Sequence, residues 1–321
     1  MCVLWTCGKF TTIFPSPITN CLLKSGVMEV NGIIWTWQWR WLFTAVILLI
    51  ALWYGRGWDY GRRHHLKHLP RQPILFYAGL LLLLLSAASP LSFLGAQLFA
   101  MRVLQRILLV TLIPVLIMAS NPAPILAGGL PRRYRTSLNQ LPESHPRIWN
   151  ILYQSTRPAL AWFLFLIIFW LGYDPQFHQL TIRYEWLHGL GMALLFLAAC
   201  FYWWHILAVS PRLHEPMTPV MRIGYTLVGA LPVKLVGLIL LFTTTTIYTY
   251  PASIQFKGLA LNDQSVGAMV HWSLGGIIFT WTGFYLIRQW LDEEEQKPYV
   301  SPVVWSTEEN MLAPGLNDQL R

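Results

Sequence analysis

Arg102 and Arg106 stand four residues apart in the stretch "LFAMRVLQRILLV", residues 98–110. A guanidinium is always charged, offers donors in a planar fork and has no acceptor. Such a pair cannot ligate a metal, but it suits a planar, bidentate anion such as a carboxylate or phosphate. The i, i+4 spacing puts both on one helix face, with Gln105 in the same arc. Lys234 adds a third cation inside an apolar stretch. No carboxylate stands at the same depth, and Glu185 and Asp263 lie at the outer ends of their stretches. Asp263, with Gln264 beside it, is therefore one candidate partner for the arginines. A lipid phosphate, a haem propionate and a partner protein's carboxylate are the others. The plainer alternative is that these cations reach backbone carbonyls or the interface.

A second set has different chemistry. His188 and Met192 share a helix face by the same spacing, and His271 follows Met269 by two residues. Imidazole with thioether suits Cu(I), a soft ion. A histidine or methionine within a membrane serves as readily in packing or in an interhelical hydrogen bond, so both readings stand at this stage.

These residues need elements to hold them. The 321-residue chain is 55% hydrophobic and only 12% charged, with 17 Trp. A soluble domain carries roughly 25% charged residues. The composition points to an all-α, polytopic membrane bundle. Seven apolar stretches of about spanning length are expected at 35–54, 74–93, 96–119, 158–174, 187–209, 223–247 and 266–288. The connections 55–73, 120–157 and 210–222 hold 12 of the 23 Lys and Arg, whereas 94–95, 175–186 and 248–265 hold only Arg183 and Lys257. Basic loops stay cytoplasmic, which places the N-terminus outside and the C-terminus in the cytoplasm. The net charge of +9 is thus loop charge facing a bilayer, and no nucleic-acid partner is expected. With this orientation His178, His188, Tyr248, Tyr250, Asp263, Gln264 and His271 all fall on the outer side.

Three regions are expected. Residues 1–30 read as an N-terminal extension, since Met28 opens a natural membrane-protein start in "MEVNGIIWTWQW". Residues 31–290 form the transmembrane domain, and 291–321, beginning "LDEEEQKP", a polar, acidic cytoplasmic tail. Arg40, among Trp35, Trp37, Trp39 and Trp41, suits an interface. Three of the four cysteines precede residue 22 and none forms a CxxC pair, so neither a disulfide framework nor a thiolate metal site is expected. Paired intramembrane carboxylates, HExxH and a Ser/His/Asp arrangement are all missing, and no enzyme is expected.

The segments "LSAASPLSFLGAQLFAMRVLQRILLVTLIPVLIMASNP", "RYEWLHGLGMALLFLAACFYWWHIL", "IYTYP" and "NDQSVGAMVHW" resemble the CtaG family of cytochrome c oxidase assembly proteins. The resemblance covers most of 35–288. Its carriers are Ser89-Pro90, Leu98-Phe99, Pro114, Pro122, His188, Tyr250-Pro251, Asp263-Gln264, Gly267 and Trp272. It implies a seven-span protein of a bacterial plasma membrane that helps oxidase maturation, by handling copper or holding an oxidase subunit from the outer side. One departure is chemical. Arg102 and Arg106 stand where the family has two histidines, and a guanidinium offers no lone pair to copper. The site read from this resemblance is Arg102, Arg106, Asp263, Gln264 and His188, with Asp263 pairing the arginines, Gln264 orienting the pair and His188 binding metal or a hydrogen-bond partner. The competing reading is a small-anion transporter or permease that uses Arg102, Arg106 and Lys234.

Overall fold

A computed structural model describes residues 41–64, 69–140, 144–250 and 262–296. Met28, Arg40, the first six residues of the expected first span, Pro251, Lys257 and most of the expected tail lie outside them. The described residues form helices and connections: α1 (Trp41–Arg63), α2 (Arg71–Ala88), α3 (Pro90–Gln97), α4 (Phe99–Val110), α5 (Leu112–Ala119), α6 (Pro122–Gly129), α7 (Arg132–Asn139), α8 (Pro146–Ser155), α9 (Pro158–Leu171), α10 (Pro175–Arg183), α11 (Glu185–Leu207), α12 (Pro219–Phe242) and α13 (Asp263–Glu295).

Five of these segments are long and apolar enough to cross a membrane: α1, α2, α4 with α5, α11 and α12. The pair α8 and α9, bent by 59°, makes a sixth if it is one span. Alone, the 14 residues of α9 reach only about 21 Å at ~1.5 Å per residue, short of a ~30 Å hydrocarbon core. The stretch expected as the seventh span lies within α13. That helix has 33 residues, ample length, but it is less apolar than the other five. It also runs on through Glu295, so the first residues of the expected tail are helical.

Prolines and small residues explain the breaks. Ser89 leaves the helical region, accepts from the Leu91 amide at 3.1 Å and precedes Pro90, which ends α2 and starts α3. Leu98 is extended (φ −130°, ψ 133°) and separates α3 from α4. Thr111 distorts the joint between α4 and α5. Pro114 has no amide to offer the Val110 carbonyl, one turn back. That freed carbonyl accepts a 2.7 Å bond from Trp203 Nε1 on α11, and Trp203 is fully buried. The break in one helix thus becomes a tie to another.

α4 lies at the centre, packed against α3, α11 and α13. Phe99, Val103, Ile107 and Val110 on α4 join Phe165 and Phe169 of α9, Trp203 of α11, Val236 of α12 and Phe279 of α13 in one buried cluster. A second cluster joins α1, α2, α5 and α6 through Tyr54, Phe76, Ile113 and Ile125. Close crossings need glycine where a side chain would collide. A Cβ at Gly267 would meet the Phe99 ring at 2.7 Å, and one at Gly129 would meet Trp53 at 2.7 Å.

Candidate functional site

Two arginines on the buried face of α4 build the site. Arg102 is 4% exposed and Arg106 is 5% exposed, so the two guanidinium groups sit inside the bundle. Arg102 Nε donates to the Gly95 carbonyl at 2.8 Å. Gly95 is in the last turn of α3, where unpaired carbonyls and the helix dipole favour a cation. Arg102 Nη1 also lies 2.6 Å from His188 Nδ1 and 2.8 Å from His188 Nε2 on α11, and it donates to whichever ring nitrogen is bare. Arg106, one turn deeper, lies over the Tyr173 ring at 4.5 Å, a cation–π contact. Its Nε is buried without a hydrogen-bond partner. A Cβ at Gly172 would stand 3.0 Å from the Arg106 Cζ, so glycine leaves the guanidinium its space.

Asp263 and Gln264 come to the same end of α4 but take other partners. Asp263 Oδ2 accepts from the Phe99 amide at 2.6 Å and Oδ1 from the Ala100 amide at 3.2 Å. The carboxylate, at the head of α13, caps α4, whose first amides are orphaned by the break at Leu98. Gln264 Oε1 accepts from the Ile247 amide at 2.8 Å, and its Nε2 donates to the Thr245 carbonyl at 3.2 Å. Gln264 therefore holds the segment after α12 against α13. The expected pairing of Asp263 with the arginines, oriented by Gln264, is not the arrangement found. Backbone amides freed by a helix break claim the carboxylate first. Arg288 and Asp292 form an ion pair at 4.0 Å on an exposed face.

Lys234 is set apart from the arginines. Its Nζ donates to the Trp272 carbonyl at 2.7 Å and sits 4.4 Å from the Trp272 ring centre. A Cβ at Gly276 would collide with Nζ, so the lysine occupies a notch that glycine leaves open. The carbonyl and the ring face satisfy this cation within the fold.

An aromatic layer closes this end of the bundle. Phe99 stacks on Tyr248 with ring centres 4.6 Å apart. His178 packs on Tyr248 at 4.7 Å, and its Nε2 shares a 2.6 Å hydrogen bond with the Tyr250 hydroxyl. Tyr248 donates to the Tyr173 carbonyl at 2.5 Å. His178 belongs to α10, where Asp174 accepts from the Phe177 amide and Pro175 opens the first turn. Burial, with the nearby charges of Arg106 and Arg102, lowers the His178 pKa to about 3, so the ring is neutral at ordinary pH. Burial also raises the Tyr250 hydroxyl, while Arg102 and Arg106 pull it down.

The copper-type ligands are not gathered at one point. His188 and Met192 line a cavity of about 70 Å³ with Arg106, Gly172, Phe177 and Thr181. His271 is not in its lining. It is 1% exposed and packs against the Phe169 and Tyr173 rings, with neither ring nitrogen hydrogen-bonded. Among the described residues no group of three or more His, Cys, Asp or Glu is placed to hold a metal ion. The His188 nitrogens face a guanidinium, which repels a metal cation. The residues present do not fit copper, so no chemistry through copper is built on them.

The comparisons bear on this arrangement as a whole. The family model for the cytochrome c oxidase caa3 assembly factor (Caa3_CtaG) matches residues 52–293, from α1 into α13. The chain is 24% identical over 272 residues to "Uncharacterized protein Mb0105" of Mycobacterium bovis and to "Uncharacterized protein MT0111" of Mycobacterium tuberculosis. The aligned part is 81% of this chain and 40% of each relative, so the chain spans less than half of their length. No solved structure matches it.

Proposed function

Since the chain belongs to the cytochrome c oxidase caa3 assembly factor (Caa3_CtaG) family, we propose that it serves oxidase maturation from the outer side of a bacterial plasma membrane. It works there without catalysing a reaction. Seven spans, with the N-terminus outside and the C-terminus cytoplasmic, complete this reading. The charge asymmetry of the connections supports it, and α13 supplies the last span. The observation that carries the proposal is the extent of the family match, which takes in the arginine face of α4, the α10 cover and the Asp263 cap together.

The outer end has the form of a holding site. Two buried guanidinium groups lie under an aromatic layer, and a backbone cap fixes the helix that carries them. A rigid site of this kind suits recognition of a partner subunit's anionic group, or of a lipid beside it. Membrane-embedded oxidase subunits are the partners on this reading. The test is association during synthesis: a tagged chain, crosslinked in cells shortly after oxidase induction, should capture newly made oxidase subunits and release them once the complex is complete. Equal capture before and after completion, or none, contradicts the proposal. Transport is the competing reading for the buried cations. Lys234 is satisfied by the Trp272 carbonyl and ring, and that removes one of the three cations which motivated it.

A further inference from the structure

The cavity beside Arg106 carries a more specific reading, independent of the oxidase role. It is walled by α9, α10 and α11 and floored by α4. Ile168, Leu171, Phe177, Met192 and Leu195 give it an apolar lining around a single guanidinium. Arg106 is 5% exposed, its Nε has no hydrogen-bond partner, and it faces this space. The Arg106 Cζ lies 4.5 Å from the Tyr173 ring centre, and the buried Nε–H is the donor left for a ligand. His188 cannot neutralise it, since that ring receives Arg102. An uncompensated buried charge is costly, whereas a charge with a well-placed anion is not.

We propose that this cavity binds a carboxylate-class anion, with Arg106 as the charged anchor and the α9–α10–α11 lining holding the few carbons next to the carboxylate, since about 70 Å³ leaves the rest of an acyl chain outside it. Arg106 lies about 10 Å below the head of α4, at ~1.5 Å per residue. That depth suits a carboxylate on an acyl chain entering from the bilayer. A free small carboxylate shares the same chemistry, and the two sources are separable by experiment.

The experiment uses the full chain purified in a neutral detergent at mildly alkaline pH. Thermal unfolding is followed with laurate, acetate or dodecanol added. Two variants stand beside the wild type. Arg106→Gln removes the anchor. Gly191→Leu fills the cavity and leaves Arg106 in place. A Cβ at Gly191 meets nothing closer than Phe177 at 3.9 Å, and leucine favours a helix more than glycine does, so this variant should fold. Laurate is expected to raise the unfolding temperature of the wild type saturably, and dodecanol to leave it unchanged. Apparent affinity should fall about ten- to a hundredfold in Arg106→Gln, the loss expected for a charge-assisted contact, and should fall in Gly191→Leu because the leucine occupies the ligand's space. Acetate acting as well as laurate assigns the site to free small carboxylates, and laurate acting alone assigns it to acyl carboxylates. Equal stabilisation by laurate and dodecanol, or an undiminished laurate effect in Gly191→Leu, overturns the proposal, as does the absence of any shift.

Discussion

Removing the Asp263 carboxylate should loosen the helix that carries both arginines. The side chain is 7% exposed and accepts two amides of the first turn of α4, at 2.6 and 3.2 Å. A hydrogen bond to a charged group contributes about 1.5–3 kcal/mol, and an ordinary helix cap about 1 kcal/mol. Asp263→Ala leaves two inward-facing amides without partners, so a loss of about 3–4 kcal/mol is expected. Asp263→Asn keeps one acceptor and loses the charge that favours a helix N-terminus. Its expected loss is about 1–2 kcal/mol. The assay is reversible unfolding in detergent, with guanidinium-independent denaturation by a mixed-micelle titration as the second probe. The order wild type, Asn, Ala is as informative as the size. If both variants unfold within about 0.5 kcal/mol of the wild type, the range of a neutral surface substitution, the capping argument fails. If Asn is the worse of the two, the acceptor argument fails.

Three further outcomes follow from the same geometry. His178, with its pKa lowered from 6.5 to about 3, binds fewer protons folded than unfolded between those values. Its contribution is therefore whole above about pH 6.5 and is lost as pH falls, by up to about 2 kcal/mol at about pH 5. Unfolding followed across that window should show this slope in the wild type and a flatter one in His178→Gln. Gly276→Ala should push the flexible Lys234 Nζ off the Trp272 carbonyl, a cost set against the ~1 kcal/mol that alanine gains over glycine inside a helix. The same change on a Lys234→Met background should cost measurably less, and a double-mutant cycle that gives no coupling contradicts the notch. For the proposed orientation, a cysteine at the exposed Thr246 should react with an impermeant thiol reagent in intact cells of a strain carrying an otherwise cysteine-free chain. A cysteine at the exposed Thr136 should react only after permeabilisation, and the reverse pattern inverts the topology.

The five helical segments long and apolar enough to cross a membrane are legible because their apolar runs are long and their breaks are marked by Ser89-Pro90 and Pro114. The inward face of α4 is legible as well, since Arg102, Gln105 and Arg106 share one arc and all three are buried. What those residues touch is harder to read. Charge points Asp263 at the arginines, with Gln264 to orient the pair, yet both side chains bind backbone. The break at Leu98 and the path of residues 243–250 create those backbone needs, and no residue type announces either. Lys234 followed the plainer expectation of a backbone carbonyl, with Trp272 as its partner. The α10 helix was read as a connection, although Asp174-Pro175 is an N-cap followed by proline in the first turn, with Arg183 at the last turn. That signal was available and would have placed His178 on a helix over the site. The tie from Trp203 to the Val110 carbonyl depends on which helices are neighbours, and a single chain's spacing does not contain that.

The most direct measurement of the oxidase role is the amount of assembled enzyme in membranes of a strain lacking this chain. Reduced-minus-oxidised haem spectra, with oxygen uptake driven through cytochrome c, would be compared among the deletion strain, the strain restored with the wild type and the strain restored with Asp263→Ala. The account predicts loss of assembled oxidase in the deletion, full recovery with the wild type and poor recovery with Asp263→Ala, while oxidase transcripts stay level. Normal oxidase spectra and oxygen uptake in the deletion strain would contradict it.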